Sequence, residues 1–292
     1  MAAIVLSVAN LLFWCVPFFL VIPLKFIPLD STRKAAQRAL NAIGECWIWA
    51  NTALGRLLYG LEFTAEGLEN PEIRPDRSYI VICNHQSFTD IYVLQAVFNR
   101  RMPLLRFFIK STLIYFPVLG ATWWGLDFPF VKRHSSAEIK KRPELKGRDL
   151  RNIVEVCARY RHNPTALLNF LEGHRRTPQR MASMKGPGSY SHLLRPHAGG
   201  VSVALTAMRE SLCGVLDVTI AYPGDRAAFK DLFMGRLKKA RVAVEFIPIS
   251  DVPMEADIDS APASERVRNW VNDRWAKKDA LLERMIGEFD RD

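Results

Sequence analysis

Residues 2 to 24 contain no charged side chain. As a helix this run would reach about 35 Å, against a bilayer hydrocarbon core of about 30 Å, so it reads as a membrane segment. No Lys or Arg precedes it and no small-residue cleavage pattern closes it, which separates it from a secretory signal peptide. Lys25, Arg33, Lys34 and Arg38 follow, and that basic flank places the C-terminal end of the segment in the cytoplasm if it spans. Pro17 and Pro23 interrupt the helix, so a shallow or re-entrant helix stands beside a full crossing. From Arg33 to Tyr59, the residues Ala36, Leu40, Ile43, Trp47, Ala50, Leu54 and Leu58 recur at helical spacing. Periodicity alone describes a core-facing helix. Next to an apolar anchor, and with Trp47 and Trp49, it reads as a helix lying in the membrane interface. Residues 1–60 are thus expected to form a membrane-attaching helical pair, and residues 61–292 one further domain.

The formal charge of +10 calls for an anionic partner, with phospholipid head groups and nucleic acid both meeting that need. No recognisable nucleic-acid motif is present, and the apolar segment favours the lipid. Five scattered cysteines, without the short paired spacing of metal or redox sites, read as reduced residues, and no cluster of side chains calls for a metal. Beyond residue 60, apolar runs at 61–65, 79–83, 106–110, 165–171, 215–223 and 241–248 alternate with helical periods. That alternation predicts an α/β domain, a mixed sheet with helices on its faces.

The most chemically suggestive stretch is Asn84-His85-Gln86-Ser87-Phe88-Thr89-Asp90, between the buried strand Tyr79–Cys83 and a helix from Ile91 to Phe98. Residues five apart on one helix point roughly 140° away from each other, so His85 and Asp90 meet only if a turn intervenes. With His85 in the turn and Asp90 in the first helical turn, the carboxylate can hold one ring nitrogen and leave the other to take a proton. Imidazole titrates near pH 6.5 when unperturbed, which suits it to deprotonating an alcohol. A lone His and Asp at this spacing are more often an ordinary capped turn.

Three later stretches change that balance: Leu126-Asp127-Phe128-Pro129-Phe130-Val131-Lys132-Arg133, Phe170-Leu171-Glu172-Gly173-His174-Arg175 and Val218-Thr219-Ile220-Ala221-Tyr222-Pro223. With the first stretch they resemble, in order, the four motifs of the glycerolipid acyltransferase family that acylates 1-acylglycerol-3-phosphate, over about residues 60 to 250, with an overall likeness to the bacterial inner-membrane branch typified by YihG. The resemblance implies a glycerol-3-phosphate acyltransferase-like fold and transfer of a fatty acyl group from acyl-CoA or acyl carrier protein to a lysophospholipid. It implies no cofactor beyond that co-substrate and no nucleic-acid partner, and it puts the catalytic domain on the cytoplasmic face of the inner membrane. His85 and Asp90 would be the catalytic pair. Lys110 and Lys132 would lie near the substrates, Arg133 would contact phosphate, and Glu172, Gly173, His174 and Arg175 would bind the acceptor. Two positions depart from the pattern: Asp127 stands where Gly is usual, and His174 where relatives have Ser or Thr. Phe116, Trp123, Trp124 and Phe128 serve either an acyl chain or core packing, and the basic stretch from His134 to His162 is either a solvated face or a site for anionic lipid or coenzyme A phosphates. A membrane-bound binding protein that keeps the fold without turnover is the rival reading.

Overall fold

The computed structural model describes residues 2–131, 148–160, 163–184, 189–224, 229–257, 260–261, 264–289 and 291. The chain begins with two long helices, α1 (Ala2–Val21), extended by a 3-10 turn at Ile22–Phe26, and α2 (Asp30–Tyr59). Gly60 ends α2 in the left-handed conformation at φ 63°, which glycine adopts without the Cβ penalty. The rest alternates strands and helices: β1 (Glu62–Glu66), β2 (Ser78–Cys83), α3 (Thr89–Phe98), β3 (Leu105–Phe107), β4 (Ile109–Lys110), α4 (Leu119–Gly125), β5 (Phe130–Val131), α5 (Arg148–Ala158), β6 (Ala166–Phe170), α6 (Pro178–Ser183), α7 (Ala198–Met208), β7 (Leu212–Ala221), α8 (Phe229–Phe233), β8 (Lys239–Pro248) and α9 (Glu265–Phe289).

Six strands form one mixed sheet in the order β1-β8-β7-β2-β6-β3. Neighbouring pairs are parallel except β7 and β8, which are antiparallel. Strands β7, β2, β6 and β3 therefore point the same way. The register sets Cys83 beside Phe170 on one side and beside Val218 on the other, so three of the motif stretches leave the sheet at one edge. Crevices outside the carboxyl ends of such strands are where α/β sheets bind ligands.

Side-chain alternation divides the core. Ile80, Ile82, Leu167 and Val215 face α5, α7 and α9 on one side of the sheet. Tyr79, Val81, Cys83, Leu216, Val218 and Ile220 face α3 and the α8 region on the other. Because β2 is covered on both faces, all six of its residues are buried, which accounts for its unbroken apolar run. The expected strand at 106–110 divides in two. β3 edges the main sheet while β4 pairs with β5 in a separate two-stranded ribbon. Hydrophobic pattern is blind to a change of partner in mid-run.

The helical pair lies along the domain. Asn10 on α1 donates to Asn51 on α2 at 2.9 Å, and Phe18 joins Leu40, Ile48, Leu126 and Phe128 in a third apolar cluster. On the far side of α2, Tyr92 donates to the Asn51 carbonyl, Asn99 to that of Glu45, and the buried Arg106 to Asn41. The buried positions of α2 are Ala36, Leu40, Gly44, Ile48 and Gly55, while Trp49 and Leu57 are exposed. On α1, Leu12, Phe13, Val16 and Leu20 project outward at 60–73% exposure, forming an apolar face that the rest of the described chain does not cover.

Lys25 ties the turn after α1 to α2 and to the end of α4, donating to Gln37, to the Gly125 carbonyl and to Asp127 at 2.7 Å. Asp127 itself has φ 56°. This is the left-handed region, which explains why glycine is the usual residue there; Asp is among the few others that tolerate it. Asp127 thus takes the left-handed turn and forms an ion pair with Lys25.

Candidate active site

The turn after β2 is built around one buried carboxylate. Asp90, fully buried in the first turn of α3, receives His85 Nδ1 at 2.8 Å, the Gln86 N–H at 2.7 Å and the Ser87 N–H at 3.0 Å on its Oδ2. Its Oδ1 accepts the Tyr222 hydroxyl at 2.8 Å. Two backbone donors and a phenol satisfy a charge that would otherwise be expensive to bury. A carboxylate accepts only, so the imidazole carries its proton on Nδ1 and presents a bare Nε2. The imidazole stacks on Phe170 at 3.9 Å between centroids, with 16° between ring planes. Asn84 pins the turn to β7 by donating to the Ile220 carbonyl and accepting its N–H, each at 2.9 Å.

The glycine turn after β6 is tied to the same loop. Arg176 N–H donates to the His85 carbonyl at 2.9 Å, and the His85 N–H donates to Glu172 Oε1 at 3.2 Å. Glu172 is buried, and its Oε2 has no hydrogen-bond partner among the described residues. Burial outweighs the His85 and Leu194 amides and raises this carboxyl from its ordinary 4.5 to about 8. Glu172 is therefore largely protonated at pH 7. Between those two values the folded protein holds a proton that the unfolded chain has lost. Stability conferred at low pH is then expected to decline as pH rises through the window, by at most about 1.4 kcal/mol per unit, and to level off above it. Urea midpoints measured at pH 6 and pH 8.5 should differ less in Glu172→Gln than in the wild-type protein.

Gly173 has φ 66°, a conformation other residues reach only under strain, and both Gly173 and His174 are exposed. The Arg175 guanidinium lies 4.3 Å from the centroid of the exposed Phe88 ring. A cleft of about 1090 Å³ opens here, with Gln86, Ser87 and Phe88 on one wall and Arg175, Arg176 and Arg180 on another.

His85, Asp90, Glu172, Gly173 and Arg175 are thus gathered at one sheet edge. Lys110 is not among the residues lining the cleft; it is exposed at the end of β4, paired with Val131. Lys132 and Arg133 lie outside the described residues, as does most of the basic stretch that follows. Of the four aromatics, Phe128 is buried and Trp123 packs beside it, while Trp124 stacks on Phe26 and Phe116 is exposed. Sequence reasoning missed the parts played by Tyr222, Phe170 and Asn84. Tyr222 was within reach, since a tyrosine ending a buried strand needs a partner for its hydroxyl. Among the described residues, no group of three His, Cys, Asp or Glu is placed to hold a metal.

The profile of the Acyltransferase family matches residues 63–223, more than half of the chain. The chain belongs to the Acyltransferase family. This acyltransferase is 26% identical over 183 residues to the Homo sapiens protein 1-acyl-sn-glycerol-3-phosphate acyltransferase gamma, which covers 60% of the chain and 44% of that relative. It is 25% identical over 241 residues to the Saccharomyces cerevisiae 2-acyl-1-lysophosphatidylinositol acyltransferase, covering 70% of the chain and 60% of that relative. The acyltransferase therefore spans about half the length of the curated relatives it matches. Among solved structures, that of the 1-acyl-sn-glycerophosphate acyltransferase PlsC from Thermotoga maritima gives a TM-score of 0.46 at 17% identity, covering 97% of this chain and 98% of that one.

Proposed function

We propose that this acyltransferase moves a fatty acyl group from an acyl thioester to the free hydroxyl of a lysophospholipid, with 1-acyl-sn-glycerol-3-phosphate as acceptor and phosphatidic acid as product. The observation that carries this reading is the His85–Asp90 pair at 2.8 Å beside an arginine-walled cleft. His85 Nε2 takes the proton of the lipid hydroxyl as the alkoxide attacks the thioester carbonyl. The tetrahedral intermediate collapses with loss of the thiolate, which receives the proton from the imidazolium. Asp90 holds the ring in position throughout and steadies its positive charge. The guanidinium of Arg175 offers a planar fork to the acceptor phosphate, and Arg133 is assigned the same role by its motif.

Transfer is direct in this reading. Ser87 Oγ already accepts the Thr89 N–H at 2.9 Å, and Cys83 is fully buried, with its thiol pushed well above the ordinary range by burial. Buried as it is, Cys83 is not placed to become an acyl carrier, and a thioester is activated enough to acylate an alcohol without one.

The outward apolar residues of α1 are the membrane attachment. Because α1 runs along α2, and α2 along the domain, the pair suits a protein lying in one leaflet better than one crossing at right angles to it. Residues 1–60 form the attaching unit and 61–292 the acyltransferase domain, on the cytoplasmic face of an inner membrane, as in the YihG-type branch. The relatives' names cover two acceptors, a glycerol phosphate and a phosphoinositide, so the test is a panel of lysolipids offered with labelled acyl-CoA and acyl carrier protein. Lysophosphatidic acid is expected to be acylated fastest. Equal labelling of none of the panel, by protein that floats with liposomes, would leave a binding protein instead.

A further inference from the structure

The cleft beside His85 has more positive charge than one lysophospholipid phosphate calls for. Four guanidiniums, those of Arg175, Arg176, Arg180 and Arg195, line it, and no Asp or Glu does among the described residues. Tyr190, Met181 and Met184 line the same cleft. Arg180 and Arg195 belong to neither of the motif turns. Arg180 lies on the short helix α6, with its guanidinium bonded to the Arg175 carbonyl at 3.1 Å. Tyr190 and Arg195 lie on a strap held from behind by α9. Asp279 accepts the Ser191 and His192 N–H groups at 2.8 Å each, and Trp275 donates to the Leu194 carbonyl at 3.1 Å. The strap is thus fixed independently of any ligand.

We propose that this cleft takes the 3′-phosphorylated nucleotide end of an acyl-CoA donor, with Arg180 and Arg195 on its phosphates and Tyr190 with the methionines against its adenine. The inference rests on the acyl-transfer reading above and names the donor for it. A diphosphate with an added 3′-phosphate needs several guanidinium forks, whereas a lysophospholipid monophosphate needs one. An aromatic ring among cations suits a base joined to phosphates. A concave site of about 1090 Å³ is of the size that encloses a small molecule; a carrier protein would dock on a broader, flatter face. The thioester would then reach the His85 turn along the wall formed by Gln86, Ser87 and Phe88.

The test has a binding arm and a turnover arm. Titration calorimetry with adenosine 3′,5′-bisphosphate should give an affinity at least tenfold weaker for the Arg180→Glu/Arg195→Glu protein than for the wild type, with most of it restored in Arg180→Lys/Arg195→Lys. In turnover, the wild-type preference for acyl-CoA over the same acyl chain on pantetheine, which lacks the nucleotide, should fall at least tenfold in the Glu variant. Equal nucleotide affinity in wild type and variant would overturn the proposal. So would an unchanged donor preference, a loss confined to acyl carrier protein as donor, or a rise in KM for the lysophospholipid alone. If the double variant does not fold, Arg180→Gln in the same assays decides, since Arg180 is exposed. Nucleotide binding needs no turnover, so failure of the cleft assignment is distinguishable from failure of acyl transfer itself.

Discussion

Replacing His85 with alanine is expected to lower turnover about 10²- to 10⁴-fold while the protein stays folded and bound to membranes. The imidazole binds Asp90 through Nδ1, stacks on Phe170, and leaves Nε2 to take a proton in the turn that borders the cleft at Gln86. Only the last is lost irreplaceably. The turn keeps its remaining ties, because Gln86 and Ser87 still donate to Asp90, Asn84 still bridges to Ile220, and the His85 backbone still bonds Glu172 and Arg176. Phospholipid formation and liposome flotation, measured on the same preparation, separate the base from the scaffold. Wild-type turnover by the alanine variant would remove the dyad from the mechanism.

The second large effect is on stability, on the opposite face of the sheet from the α3 side. Lys278 of α9 is 2% exposed, and its ammonium lies 2.5 Å from Asp217 Oδ1, 2.5 Å from the Val218 carbonyl and 3.2 Å from Thr219 Oγ1. Arg274 joins from one turn earlier, bonding Asp217 at 2.7 Å and Glu245 beyond it. The network fastens the C-terminal helix to β7 and β8, and so holds the helix that supports the strap at 189–195. Removing Asp217 leaves a buried ammonium without its counter-charge, and Asp217→Ala should cost about 3–5 kcal/mol in urea unfolding. The paired replacement Asp217→Leu/Lys278→Met removes both charges together and is expected to cost far less, since desolvation of the pair is relieved along with its attraction. If the single and the paired replacements cost the same, the cluster contributes little through charge.

What the sequence made legible was whatever repeats locally. The unbroken run Tyr79–Cys83, the helical period of α2 and the uncharged residues of α1 each declare an element without reference to anything distant. Strand ends carrying polar residues announced the His85 and Glu172 turns. The sheet order was not legible, nor were the pairings it creates. Tyr222 reaches Asp90 across 132 positions, and Lys25 reaches Asp127 across 102. Neither contact has a local signature. Asp127 shows the limit from another side: in the sequence it is only a departure from glycine, whereas its φ of 56° and its bond to Lys25 give it a place in the fold. The arginine wall escaped notice because Arg180 and Arg195 come from separate segments that only the folded chain brings to one cleft.

Direct transfer to a lipid alcohol, with His85 as base, is the claim on which the rest depends. It is tested by incubating the purified protein with labelled acyl-CoA, with and without lysophosphatidic acid, and reading lipid label and intact protein mass together. The expected result is label in phosphatidic acid only when the acceptor is present, with the protein mass unchanged under both conditions. An acyl group found on the protein, or thioester consumed with no lipid labelled, would contradict it.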